Sequence, residues 1–280
     1  NYEEVRRGPL GELAAWAAGL TFDDIPAEVV AEAKLRLLDA FGCGLAARAR
    51  DQLSGVRATA RELGGPPEAT LIGGAGGVRS SLVPHTATGD ERTDAGRVGA
   101  GPAALANGAL IHALDFDDTH EVTLVHSSAV VAPSALAVAE ANAASGAELL
   151  AAVVAGYEIS SRVGLAAPGR LHVRGFHPTS VCGVFAAAAL AAKLRGLGPD
   201  GIANALGIAG SQAGGLMEYL ADGSQTKPLH AGWAAFSGIV AAALAAHGGS
   251  GPASVLEGRF GLLASHVGEF DAAELTAGLG

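Results

Sequence analysis

Long stretches of alanine, glycine and leucine with almost no charge leave this chain few folds to adopt. Between His230 and His247 lie sixteen consecutive residues without a charged side chain. Small apolar residues in such runs suit helices that pack closely together. Helix signals recur along the chain. Pro26 suits a first helical turn, and Ile25, Val29, Ala33, Leu37 and Phe41 repeat every four residues as one apolar stripe. Ser145 and Glu148 form a capping-box pattern that opens a helix over Leu149 to Arg162. Ser180 can cap Val181–Leu194, Pro199 can begin Asp200–Ala209, and a long helix from His230 ends at Gly248-Gly249. The only strand signal is Ala69-Thr70-Leu71-Ile72, and residues 73–102 read as a flexible, Gly/Ser/Thr/Arg-rich loop. The expected class is all-α, a large helical domain over residues 1–265.

Polar chemistry is confined to short connectors. Residues 112–126 hold His112, Asp115, Asp117, Asp118, His120 and His126, although only 16% of the chain is charged. Buried carboxylates are costly unless paired, hydrogen-bonded or metal-bound, so this density points to proton transfer or ligation. Arg174-Gly-Phe-His-Pro-Thr-Ser180 puts Arg174, His177 and two hydroxyls before a helix whose N-terminus favours an anion. Asp222 to His230 brings Lys227 and His230. Asp117 and Asp118 equally suit bracing a loop, and His112, His120 and His230 suit core packing as well as chemistry. His85, His247 and His266 read as surface or helix-end residues, and Cys43 and Cys182 as small apolar packing.

Net charge of −10 and a pI near 5.3 argue against nucleic acid and anionic membrane surfaces. Mean hydropathy is +0.33, yet the uncharged runs fall short of the roughly 20 residues of a membrane span. Two cysteines without metal spacing fit a reducing cytoplasm.

Several motifs in order resemble the MmgE/PrpD family. They are Leu38-Asp-Ala-Phe-Gly-Cys-Gly-Leu45, Asn107-Gly with His112-Ala-Leu-Asp-Phe-Asp-Asp-Thr-His120, Gly175-Phe-His-Pro-Thr-Ser-Val-Cys-Gly183, Ala205-Leu-Gly-Ile-Ala-Gly-Ser-Gln212, Thr226-Lys-Pro-Leu-His-Ala-Gly-Trp-Ala-Ala235 and Gly251-Pro252 with Leu256-Glu-Gly258. The resemblance implies a lyase acting on a small di- or tricarboxylic acid, with epimerisation of a related dicarboxylate as the alternative. It implies no iron–sulfur cluster, no resident metal and a homodimer built through the helical domain. By motif position it implies pocket roles for Asp115, Thr119, His126, His177 and Lys227. We expect His177 to move the proton, His126 and Lys227 to hold carboxylates, Asp115 to orient a histidine, and Thr119, Arg174 and His230 to bind substrate. Three departures stand out: His126-Ser-Ser replaces the family's His-Pro-Ser, residues 77–97 resemble an insertion, and residues 266–280 stand where a linker to a second α+β domain is expected. That domain is then absent or supplied by another chain, and a non-catalytic, dimerising remnant is a second reading.

A third reading comes from Asp117-Asp-Thr-His-Glu121, the Asp-Asp-x-x-Glu spacing of magnesium-binding isoprenoid synthases. Aromatic residues at 5% are too few to line a carbocation pocket, and Leu149 occupies the position where a second motif needs an acid.

Overall fold

A computed structural model of the chain describes residues 8–74 and 96–279. The class is all-α: the strands among the described residues are the two-residue pair β1 (Ala69–Thr70) and β2 (Arg97–Val98), antiparallel with Ala69 opposite Val98. The helices are α1 (Pro9–Gly19), α2 (Ala27–Ala49), α3 (Ser54–Leu63), α4 (Ala100–His112), α5 (Ser128–Ala141), α6 (Gly146–Leu165), α7 (Arg170–Val173), α8 (Pro178–Leu194), α9 (Pro199–Gly210), α10 (Tyr219–Asp222), α11 (Thr226–Ala246) and α12 (Leu262–His266). One-turn 3₁₀ segments lie at Phe22–Asp24 and Ala272–Leu275.

The core is where α4, α5, α6, α8 and α11 pack together. Every residue of α8 from Pro178 to Ala192 is buried, mostly as alanine and valine. Such small side chains bring helix axes close. At the α4–α11 crossing even a methyl group is too large: a Cβ on Gly108 would lie 3.0 Å from Gly232 Cα and 2.9 Å from the Ala129 carbonyl oxygen, while one on Gly232 would strike the Leu105 carbonyl. Ala129 sits one helical turn before Pro133, whose missing N–H leaves that carbonyl without its usual intrahelical donor. This glycine crossing matters for function, because His112 ends α4 four residues after Gly108 and His230 precedes Gly232 by two.

Several expected boundaries move. Ser145 does accept from the Glu148 N–H while Glu148 reaches back, but helix α6 begins at Gly146. Helix α8 begins at Pro178 with His177 in the capping position, so Ser180 lies inside the first turn and its hydroxyl instead donates to the His230 carbonyl at 3.2 Å. Helix α11 begins at Thr226 rather than His230, since Pro228 in the first turn removes only an N–H that has no intrahelical acceptor there. Its 21 residues make it long and apolar enough to cross a membrane by length and composition, contrary to the shorter run read from the sequence. It packs against α8 and α4 in the core.

The inner face of α2 is Ala33, Ala40, Gly44 and Ala47, while Val29 at the start of the expected stripe is exposed. Of the expected loop 73–102, residues 75–95 lie outside the described residues. Its end is ordered: Arg97–Val98 pairs with β1, and α4 is under way from Ala100. Buried Asn107 fastens this region, accepting from the Ile72 N–H and donating to the Thr70 carbonyl, both at 2.8 Å. Beyond residue 265 the chain packs back on the bundle: Leu275 is fully buried, and Arg162 donates to the Ala277 carbonyl at 2.8 Å.

Candidate active site

The three polar connectors meet. Residues 113–127 join α4 to α5 through a tight turn in which His120 and Val125 pair their backbones. Asp115 and Leu124 take left-handed conformations (φ 58° and 59°) there, a region rarely used by residues other than glycine and more readily by aspartate than by most. Asp118 ties the turn down, accepting from the Ser128 N–H at the start of α5 at 2.9 Å and from the Tyr157 hydroxyl at 2.9 Å, with Arg36 at 3.5 Å. The second connector is held by the segment between α9 and α10: the His177 N–H donates to the Gly215 carbonyl at 2.9 Å, and the Met217 N–H to the Gly175 carbonyl at 2.9 Å.

Four imidazoles form one cluster. His112 and His126 are edge-to-face with ring centres 4.7 Å apart; His112 and His177 stack at 5.4 Å; His177 and His230 lie 5.4 Å apart, with their Nδ1 atoms at 3.3 Å. Tyr219 closes one side, 6.1 Å from His177 and 5.8 Å from His230. The site grades from dry to wet. The side chains of His112 and Asp117 have no exposure, whereas Lys227 and Asp115 at the mouth are 25% and 57% exposed. Beside His230 a groove of about 840 Å³ opens, lined by Ser180, Gln212, Gly215, Leu229 and Trp233 among others.

Lys227 stands in the first turn of α11, where a cation faces the positive end of the helix dipole. Asp115 Oδ1 at 2.5 Å from its Nζ offsets that. Partial burial raises the Asp115 pKa, but the Lys227 hydrogen bond and charge outweigh it and hold the carboxyl below its usual range. The expectation that Asp115 orients a histidine is therefore corrected: its partner is Lys227, and Asp117 is the carboxylate that meets a histidine, with Oδ2 2.8 Å from His112 Nδ1 and 3.6 Å from His126 Nδ1.

Burial above all, then the neighbouring His112, pushes His177 down to about 2. The same two causes lower His126 and His230, Asp117 partly opposing them at His126. His126, His177 and His230 are thus each biased toward the neutral imidazole. Thr119 lies 3.1 Å from His126 Nδ1, within hydrogen-bond reach, and the Thr179 hydroxyl accepts from the His126 N–H at 3.0 Å.

Not every expected residue joins. Arg174 is exposed and donates toward the His266 carbonyl at 3.4 Å, away from the imidazoles. His120 braces the turn through the Thr123 N–H at 3.3 Å. Asp117 and Asp118 face different partners and Glu121 is exposed, so Asp117-Asp-Thr-His-Glu121 gathers no common point for magnesium. His112, Asp115, Asp117 and His126 present donor atoms within 4.8 Å of one another, a spacing open to a cation. Three of these four residues are engaged with a partner, Asp115 with Lys227 and Asp117 with His112. His85 lies outside the described residues.

Sequence reasoning alone leaves His112 and Asp117 between chemistry and packing or bracing without assigning either a role, and it misses Tyr219. A signal for His112 is present all the same: it is the one titratable residue of an otherwise neutral helix buried from Ala103 onward.

The structure brings histidines and one lysine together within a helical body, and the sequence names the family. The profile of the MmgE/PrpD N-terminal domain matches residues 11–275, and the chain belongs to that family. It is 35% identical over 268 residues to the cis-aconitate decarboxylase-like protein oryM of Aspergillus oryzae, covering 89% of this chain and 49% of that protein. It is 33% identical over 266 residues to the cis-aconitate decarboxylase of Aspergillus terreus, covering 92% and 49%. It is 44% identical over 161 residues to the human cis-aconitate decarboxylase, covering 55% and 33%. The chain spans about half the length of the two Aspergillus relatives.

Proposed function

We propose that this domain supplies the acid–base and carboxylate-binding half of a lyase acting on a small tricarboxylic acid, with decarboxylation of a cis-aconitate-like substrate as the reaction. The observation that supports the reading is the clustering of His126, His177 and His230 around buried His112, with Lys227 joined to the cluster's edge through Asp115. The names of the Aspergillus and human relatives favour decarboxylation over dehydration or epimerisation.

Losing CO₂ from, or moving a proton beside, a carboxylate leaves carbanion-like charge that needs cationic or hydrogen-bonding neighbours and a proton donor. Lys227 and His126 sit toward the mouth and hold carboxylates. His177, deeper, exchanges the proton. Its low proton affinity in the free protein keeps the ring unprotonated; a bound polyanion raises that affinity, because opposite charge within a few ångströms favours the imidazolium. The proton thus arrives with the substrate, and Thr119 orients the His126 ring.

The test is incubation of the full-length protein with cis-aconitate, citrate and 2-methylcitrate, following CO₂ release and ultraviolet absorbance. CO₂ from cis-aconitate supports the reading. Turnover of citrate or 2-methylcitrate without CO₂ replaces it with dehydration, and binding without turnover with the remnant.

A further inference from the structure

We propose that Asp117 locks His112 as the Nδ1–H tautomer, and that this buried pair is the positioning unit that keeps His126 and His177 available as proton acceptors. The catalytic half of this inference rests on the lyase reading above; the tautomer half does not.

Both members are sealed from water, and both contribute one committed atom and one free one. Asp117 Oδ2 meets His112 Nδ1 at 2.8 Å, whereas Asp117 Oδ1 and His112 Nε2 are buried with no hydrogen-bond partner among the described residues. An ionised carboxylate only accepts, so the hydrogen of this bond sits on His112 Nδ1, and in the neutral ring Nε2 is then a bare acceptor. Leaving buried polar atoms unsatisfied is destabilising, so the pair is not explained by stability alone. The place of His112 supplies the reason. Its ring is central, edge-to-face with His126 on one side and stacked on His177 on the other. Asp117 also reaches within 3.6 Å of His126 Nδ1, so one carboxylate serves both rings. Backbone geometry holds the arrangement: His112 is fixed at the end of α4 beside the glycine crossing, and Asp117 follows two residues after the left-handed turn at Asp115.

Replacing the carboxylate with an amide breaks the lock. In Asp117→Asn the side-chain NH₂ can donate to His112 Nδ1, flipping the ring to Nε2–H and turning its free acceptor into a donor. A wrong tautomer in a histidine–carboxylate pair can abolish most of an enzyme's turnover while leaving its geometry intact.

The experiment uses the full-length protein labelled with ¹⁵N-histidine, wild type and Asp117→Asn, read by long-range ¹H–¹⁵N spectra at pH 8, with His112→Gln to assign the ring. The expected result is an Nδ1–H pattern for His112 in the wild type, an Nε2–H pattern in D117N, and a kcat lowered at least tenfold with KM little changed. A wild-type His112 protonated at Nε2 overturns the proposal, as does D117N with an unchanged tautomer or an unchanged kcat. If D117N fails to fold, the wild-type spectrum decides alone. If the wild type turns over no tricarboxylate, the lyase reading fails while the spectra still decide the pair.

Discussion

The glycine crossing lies a few residues from two of the clustered imidazoles, His112 and His230, on the same two helices, and crossing and cluster obey opposite rules. At Gly108 and Gly232 everything depends on size: backbones touch, and any added atom meets a carbonyl. At His112, His177 and His230 polar rings crowd together out of water, an arrangement that a stability-seeking core would replace with leucine. The first region holds the second in register, and the second weakens the fold it sits in. Stability and activity should therefore part company in variants of the two regions.

The largest effect belongs to the crossing. Gly232→Val pushes side-chain atoms onto the Leu105 carbonyl, and overpacking of this kind costs roughly 3 kcal/mol or more. We expect a lowered melting temperature and lost turnover together; a stable, active G232V would show that the close approach is dispensable. His177→Asn should do the reverse, cutting kcat at least a hundredfold (about 2.7 kcal/mol) with melting temperature kept or raised. Near-normal turnover would remove His177 from the mechanism.

Lys227→Met tests the mouth of the site. Its ion pair with Asp115 is partly exposed, so stability should change by less than about 1 kcal/mol. KM should rise about tenfold through loss of a charge-assisted carboxylate contact. An unchanged KM would move carboxylate binding elsewhere.

Acid supplies the gentlest separation. His177 is held down near about 2 in the folded chain, while the unfolded chain takes up a proton near 6.5. Between those values the unfolded state binds more protons, so stability falls as pH drops below about 6.5. The slope approaches about 1.4 kcal/mol per pH unit for this residue alone. His126 and His230 shift in the same direction and add to it. Chemical unfolding at pH 7.5, 6.5 and 5.5 measures the slope, and H177N should flatten it. Equal slopes in the two proteins would contradict the buried neutral state of His177.

Much of this is legible without coordinates. The all-α class follows from alanine-rich, charge-poor runs, and Ser145 with Glu148 marks a helix start because a capping box is a purely local device. The helix starts at Pro178 and Thr226 are displaced from expectation because proline in a first turn reads as a breaker when its neighbours are polar. The convergence of His126, His177 and Lys227 is expected from the motif order and is what the fold brings about. Pairing is what a linear pattern does not carry. Asp115 and Asp117 differ by two positions, yet the left-handed turn at Asp115 sends one carboxylate to Lys227 at the mouth and the other to His112 on the floor. Arg174 resembles an anion anchor from its place before a helix, but the chain reaches His177 through a turn that leaves the guanidinium beside His266.

The most direct measurement is calorimetric titration of the full-length protein with tricarballylate, an unreactive tricarboxylate, in two buffers of different ionisation enthalpy. If imidazoles and one ammonium form a common carboxylate site, binding takes up protons near pH 7.5, and Lys227→Met and His126→Asn each weaken it at least tenfold. Tight binding without proton uptake, unmoved by either substitution, would contradict a shared site for these residues.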